Sequence, residues 1–295
     1  AMEDGGRSHS DNQRWIGTGA RNNIIDGYLN RYLQNTQAEM HPLRGAVLGK
    51  TGLSTEVRGQ ITVPIVERAS NFSLENENFR QENAAEDFCN VGCRDNQMTA
   101  MMREIASHEV DLPNVEGEVA ENQMIMLDSI TEVQRSGIDY MPNANGMDYS
   151  NSRLGRGLRL TAQLLRAGVP LEVAALDWNI GWDSHNNLVP EDIGVGDPAH
   201  GYNRRMAEGG DDFLVFYLDM MNAGLLDDVV VLVGTEFGRT VIENGSRGTD
   251  HGKGSSWFAF GGPTIGGLAQ DITTLDTTQL FQNRIVPTVT EYRDR

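Results

Sequence analysis

Three short stretches of the chain carry the residue types that bind divalent cations. Gly181-Trp182-Asp183-Ser184-His185 sets a carboxylate and an imidazole two residues apart, on one side of an extended backbone and within reach of a single ion. Thr235-Glu236-Phe237-Gly238-Arg239-Thr240 offers a carboxylate beside a guanidinium, and Gly248-Thr249-Asp250-His251-Gly252 a carboxylate next to an imidazole. Carboxylate oxygens and imidazole nitrogens suit zinc, calcium or manganese. Adjacent residues of an extended strand point opposite ways. Asp250 and His251 therefore share an ion only from a turn, which Gly248, Gly252 and Gly254 permit, or serve two neighbouring ions. These stretches make Asp183, His185, Glu236, Asp250 and His251 the candidate metal ligands. Arg239 is the candidate catalytic residue, holding an anionic oxygen through its planar fork. Each residue also has a plainer role. Asp183 and Asp250 can cap turns, His251 can be a surface histidine, and Glu236 with Arg239 can be a buried ion pair. Convergence of the three stretches on one site is what would favour chemistry.

Two of the stretches follow apolar runs that read as strands, 171–178 and 229–233. The β-branched run Val229-Val230-Val231-Leu232-Val233 predicts a strand buried on both faces, as in a parallel sheet. In open α/β sheets ligands sit beyond the carboxyl ends of such strands. The periodicity predicts helices over 24–33, over 98–135 with a break at Pro113, over 154–167 closed by Gly168, and over 213–221. It predicts strands at 46–48, 61–63, 171–176 and 257–260. Helix, strand, long loop, helix, strand is the crossover order of a parallel sheet. Residues 186–210 read as the long loop, and the dense Glu, Asn and Gln of 70–97 as a solvated helix face. The methionines and isoleucines of 98–130 read as adaptable core, and His108 as a helix-end histidine. Near the start, Arg7-Ser8-His9-Ser10-Asp11 brings a histidine and an aspartate close together, and reads first as a helix start capped by Ser10 or Asp11 before Trp15.

The 295 residues carry a formal net charge of −18, which argues against nucleic acid or an anionic membrane surface as partner. Of 24 basic residues only Lys50 and Lys253 are lysine. No apolar run reaches the roughly 20 residues a spanning helix needs. Ala1-Met2-Glu3-Asp4 has no signal-peptide pattern, so an export signal is expected to be removed or to lie outside the sequence. Cys89 and Cys93 can form a local disulfide or stay as two thiols, and cannot alone complete a four-ligand zinc site. The sequons at Asn71 and Asn244 are weak signals.

The 181–185 stretch resembles a known family, together with Asn222-Ala223-Gly224-Leu225-Leu226-Asp227-Asp228-Val229, Glu236-Phe237-Gly238-Arg239-Thr240, Gly248-Thr249-Asp250-His251-Gly252 and the closing Gly261-Gly262 and Gly266-Gly267 pairs. The similarity is to the domain of unknown function 1501 family, sulfatase-like and of the alkaline phosphatase superfamily. Arg7-Ser8-His9 with Asp11, and Tyr292-Arg293-Asp294, resemble its weaker motifs. The resemblance is dense over 153–267. It implies a single alkaline phosphatase-like α/β domain over 1–295, a three-layer α/β/α sandwich with a mostly parallel central sheet, and a helical, acidic insertion or cap around 70–150. It implies a centre of one or two divalent metal ions, with Asp183 and His185 as one ligand pair, Asp250 and His251 as another, and Glu236 at a strand-end ligand position. A small anionic ester would be the substrate, and the compartment periplasmic or extracellular. The family's first strand and its Gly-Asn-Asp-Gly-type segment have no counterpart in this sequence, so the chain is expected to be either a piece of the protein or a relative without the chemistry.

Two functions follow as expectations. One is a metal-dependent hydrolase of phosphate or sulfate esters, exported in its full-length form. The other is a catalytically silent extracellular protein that keeps the fold for assembly or binding. A glycan-binding module would need Trp15, Trp178, Trp182 and Trp257 exposed.

Overall fold

A computed structural model describes residues 8–19, 25–36, 41–69, 72, 97–110, 115–178, 181–188, 201–252 and 256–267. In chain order its helices and strands are α1 His9–Thr18, α2 Tyr28–Asn35, β1 Gly45–Leu48, β2 Ile65–Val66, α3 Gln97–Glu109, α4 Val115–Ser136, α5 Arg153–Arg166, β3 Val173–Ala175, α6 Gly201–Asn222, β4 Val230–Val233 and β5 Phe258–Gly261. Helices with a small, mostly parallel set of strands give the chain α/β character. Two compact units emerge, Ile25–Trp178 and Ala1–Ile24 with Asn179–Arg295. Asn71, Cys89, Cys93 and Tyr292-Arg293-Asp294 lie outside the described residues.

In the Ile25–Trp178 unit, β1 is central in a parallel sheet of order β2-β1-β3, with Ala46 opposite Ala174 and Val47 opposite Ile65. All four residues of β1 are buried, and its side chains alternate between two apolar clusters. Ala46 and Leu48 join Leu43, Val133, Leu160 and Leu164, while Val47 joins Leu33, Val57, Val63 and Val173. Each such leucine contributes roughly 1.5–3 kcal/mol relative to an exposed one. Helix α5 is set in register by Ser152, whose hydroxyl accepts from the Gly155 N–H at 2.9 Å, and it ends before Gly168 at φ +79.

The expected strand at 61–63 is displaced to Ile65–Val66, beyond Pro64. Buried Asn30 explains the shift. Its amide donates to the Ile61 carbonyl at 2.7 Å and accepts from the Ile61 N–H at 3.2 Å, so that residue has nothing left for a ladder. The 98–135 stretch forms two helices as expected, but its apolar stripe is only partly core. Leu127 and Ile130 are buried, whereas Met101 and Ile105 are about half exposed. His108 sits exposed in the last turn of α3.

At the amino-terminal end of β1 and β3 Arg44, 7% exposed, donates from Nε to Glu172 Oε1 at 2.7 Å and from Nη2 to Oε2 at 3.1 Å. That bidentate bond outweighs desolvation and holds the Glu172 carboxyl below its ordinary range. A carboxyl depressed in the folded state stabilises fully above its unfolded pKa, roughly 4.3. The stabilisation fades as pH falls through the lower folded value. Glu172→Gln should therefore cost about 1–2 kcal/mol at pH 7, and the gap to wild type should close below about pH 4. Denaturant unfolding across that range measures it; a gap independent of pH would mean the pair contributes nothing through charge.

In the other unit β4 pairs antiparallel with β5, Val231 opposite Phe260 and Leu232 opposite Ala259. The expectation that β4 is buried on both faces is corrected. Its residues alternate, with Val230 and Leu232 about half exposed, because among the described residues this two-stranded sheet is covered on one side only. There the Phe213 ring of α6 meets the Phe258 and Phe260 rings edge-on at 5.7 and 5.6 Å. An unbroken apolar run does not reveal how many faces are covered. The expected helix at 213–221 in fact begins at Gly201, so the expected loop is helical from 201 to 210. Gly209 and Gly210 read as loop, yet Gly209 is buried in the helix, where a small residue packs.

Candidate metal centre

All three stretches read from the sequence converge within this second unit. A hairpin supplies two of them. Arg239 and His251 form an antiparallel bridge, the Gly252 N–H donates to the Gly238 carbonyl at 2.7 Å, and the Thr240 N–H to the Asp250 carbonyl at 2.9 Å. The tip is knitted by Asn244. Its side-chain oxygen accepts from the Ser246 and Gly248 N–H groups, and its amide donates to Asp250 Oδ1 at 3.1 Å and the His185 carbonyl at 2.8 Å. The Thr249 N–H donates to the Ser184 carbonyl at 3.0 Å, which docks the 181–188 stretch against the hairpin.

Asp183 is the hub. Its Oδ1 lies 2.8 Å from His251 Nε2, 3.1 Å from His185 Nε2 and 2.7 Å from Arg239 Nη1, and its Oδ2 lies 3.4 Å from His9 Nε2. His9, Asp183 and His251 each present a ligand atom within 4.8 Å of the others. His185 Nε2 lies 3.0 Å from His251 Nε2. His251 is the most enclosed of the four, and Asp183 the most open to solvent.

Glu236 and Asp250 stand one step behind the hub. Glu236 Oε1 is 2.7 Å from His9 Nδ1, and Asp250 Oδ1 is 3.3 Å from His185 Nδ1. A carboxylate on Nδ1 selects the tautomer whose Nε2 carries the lone pair, and it raises the basicity of that nitrogen. Both rings thus turn a ligand nitrogen toward Asp183. This donor set fits a divalent ion: three imidazole nitrogens around one carboxylate, two of them backed by carboxylates. His9, Asp183 and His251 would hold the ion, with His185 beside them.

The electrostatics agree. Burial alone would push the Asp183 carboxyl up, but hydrogen bonds from His251, Arg239 and His9 and the charge of His185 hold it well below the usual carboxylate range. Burial also raises Glu236, yet His9, its own backbone N–H and Gln13 outweigh that and lower it. For His9, burial lowers the pKa and is outweighed by Glu236 and Asp183, leaving it raised. Arg239 donates from Nη1 to Asp183, from Nε to Thr249 Oγ1 at 3.2 Å and from Nη2 to the Thr249 carbonyl. Three of its five N–H groups are committed.

His9 is the candidate ligand that the sequence reading ranked behind a helix cap. The Ser8-His9-Ser10-Asp11 pattern does start a helix, with Ser8 rather than Ser10 or Asp11 at the N-cap, and that start aims His9 into the cluster. The weak sequon at Asn244 proves to be the knot of the hairpin tip. All four tryptophans are partly buried, with the Trp257 ring lying over Gly234, which removes the premise of a tryptophan-based glycan site. No helix among the described residues is long and apolar enough to cross a membrane.

No curated protein and no solved structure matches the chain. A family model described as "Protein of unknown function (DUF1501)" matches residues 6–278, and the chain belongs to that family.

Proposed function

We propose that this protein is a divalent-metal-dependent hydrolase of small phosphate or sulfate esters, acting outside the cytoplasm. The observation that carries it is the convergence of His9, Asp183 and His251 from three separate stretches, with ligand atoms within 4.8 Å. Carboxylates behind two of the neighbouring imidazoles add to it. The alkaline phosphatase-like three-layer sandwich belongs to the same proposal, supported by the parallel β2-β1-β3 sheet with an apolar cluster on each face.

A divalent ion in this donor set supplies Lewis acidity toward an ester oxygen and lowers the pKa of water. The chain's own groups do the positioning. Glu236 and Asp250 fix the tautomers of His9 and His185. Arg239 braces Asp183 against Thr249, and its two remaining N–H groups are available to an anionic oxygen. The hydroxyls near the site are engaged: Thr249 accepts from Arg239, Thr240 donates to the Ile242 carbonyl, and Ser8 and Ser10 bond each other. That favours water over a protein hydroxyl as the attacking group.

Elemental analysis of purified protein, paired with hydrolysis of p-nitrophenyl phosphate and p-nitrophenyl sulfate before and after EDTA, tests the reading. At least one zinc, calcium or manganese per chain is expected, with activity lost on chelation and restored by add-back. Absence of both metal and turnover would overturn it.

A second reading has its own support. The apolar side chains of Val230 and Leu232, with Ala259 opposite Leu232, form a face of β4 and β5 that stays open among the described residues, as a silent protein kept for self-assembly or binding would have. Sedimentation of metal-free protein separates the two, since assembly without turnover favours the silent form.

A further inference from the structure

Beside the hub, a cavity of about 180 Å³ opens between the 181–188 stretch and the first turns of α6. It is lined by Gly181, Asp183, Asn186, Asn187, Tyr202 and Arg205, among others. That volume falls below the roughly 300 Å³ at which pockets for drug-sized ligands begin, so it suits a small head group. The lining is polar, and one feature of it is unusual in a chain of this charge. Asp and Glu outnumber Lys and Arg 42 to 24, yet among the described residues no carboxylate pairs with Arg205. Its neighbour Arg204 faces Glu208 instead, at 3.7 Å. The Arg205 guanidinium lies close over Gly181, whose φ of +79 suits glycine. The Trp182 and Tyr202 rings meet edge-on at 5.6 Å beside it.

We propose that this cavity is an oxyanion subsite in which Arg205 holds a phosphate, sulfate or carboxylate group through its planar fork, assisted by the side-chain amides of Asn186 and Asn187. A half-buried guanidinium with no carboxylate partner among the described residues keeps a strong preference for a bidentate anion. The carboxylate on the wall among the described residues, Asp183, is already matched by Arg239 at 2.7 Å and by the imidazoles, so it opposes an incoming anion weakly. The subsite borders the metal centre but does not require an ion in it. It selects ligands that carry an anionic group and place it beside the hub.

Titration calorimetry of EDTA-treated protein with inorganic sulfate, inorganic phosphate and acetate tests the subsite apart from the metal. Saturable binding of at least one of the three is expected, weakened tenfold or more in Arg205→Ala and less in Arg205→Lys, which keeps the charge but loses the fork. Arg204→Ala, a change to the adjacent exposed arginine, should leave binding unchanged. Equal affinity in wild type and Arg205→Ala, or no saturable binding of any of the three anions by wild type, would overturn the subsite. Either result leaves the metal content free to be measured separately.

Discussion

Asp183→Ala should reduce bound metal to background and cut ester hydrolysis by about 100-fold or more. One carboxylate is the meeting point of His9, His185, His251 and Arg239, all within 3.4 Å. Losing a partner one step behind a metal ligand typically costs about 10–100-fold in affinity or activity. The hub itself should cost more. Without it, three imidazoles and a guanidinium face one another with no negative charge between them, so the variant loses an ion ligand and gains repulsion. Asp183→Asn separates these effects. It preserves the shape and one acceptor oxygen, so the hairpin and the 181–188 stretch should stay docked while metal affinity still falls tenfold or more. Metal stoichiometry with a thermal melt on both variants reads the result. Retention of a full complement of metal by Asp183→Ala would move the ion site away from this cluster.

The side chains of this site were more legible in the sequence than its scaffold. The ligand types and their glycine setting predicted convergence, and Asp183, His185, Glu236, Arg239, Asp250 and His251 do meet. What spacing could not separate was direct contact from support. Asp250 and His251, adjacent and pointing opposite ways, divide the work: His251 faces Asp183, while Asp250 reaches the far nitrogen of His185. His9 ranked second to a helix cap because a helix start explains Ser8-His9-Ser10-Asp11 without any ligand, and its partner Glu236 lies 227 positions away. The fold misreadings share a cause, namely that local pattern does not report what covers a segment. The 229–233 run is as apolar as a doubly buried strand, yet it sits in a two-stranded sheet with one face open among the described residues. The 61–63 run has strand residues, but the ladder groups of Ile61 are taken by Asn30, a tertiary contact.

Gly248→Ala should disable the centre without touching any ligand. A Cβ at this buried position would fall 2.2 Å from the His185 carbonyl carbon, 2.3 Å from its oxygen and 2.5 Å from the Asn186 nitrogen. All three atoms are backbone, so no rotamer change relieves the clash. Either the hairpin tip or the 184–187 segment must move. Movement breaks the Thr249 to Ser184 bond and the Asn244 bond to the His185 carbonyl, the two contacts that fix His185 between Asp250 and Asp183. Overpacking costs about 1–3 kcal/mol, and a backbone clash belongs at the upper end. At roughly 2–4 °C per kcal/mol, the melting temperature should fall by about 6–12 °C. Metal affinity should fall tenfold or more. Gly245→Ala, in the same turn, is the matched control, since its Cβ would meet nothing within 4 Å and should leave both readouts near wild type. If the two alanine variants bind metal and melt alike, the packing of the hairpin tip on His185 is not what holds the histidine in place, and the orientation of the site must come from the side-chain bonds of Asp183 and Asp250 alone.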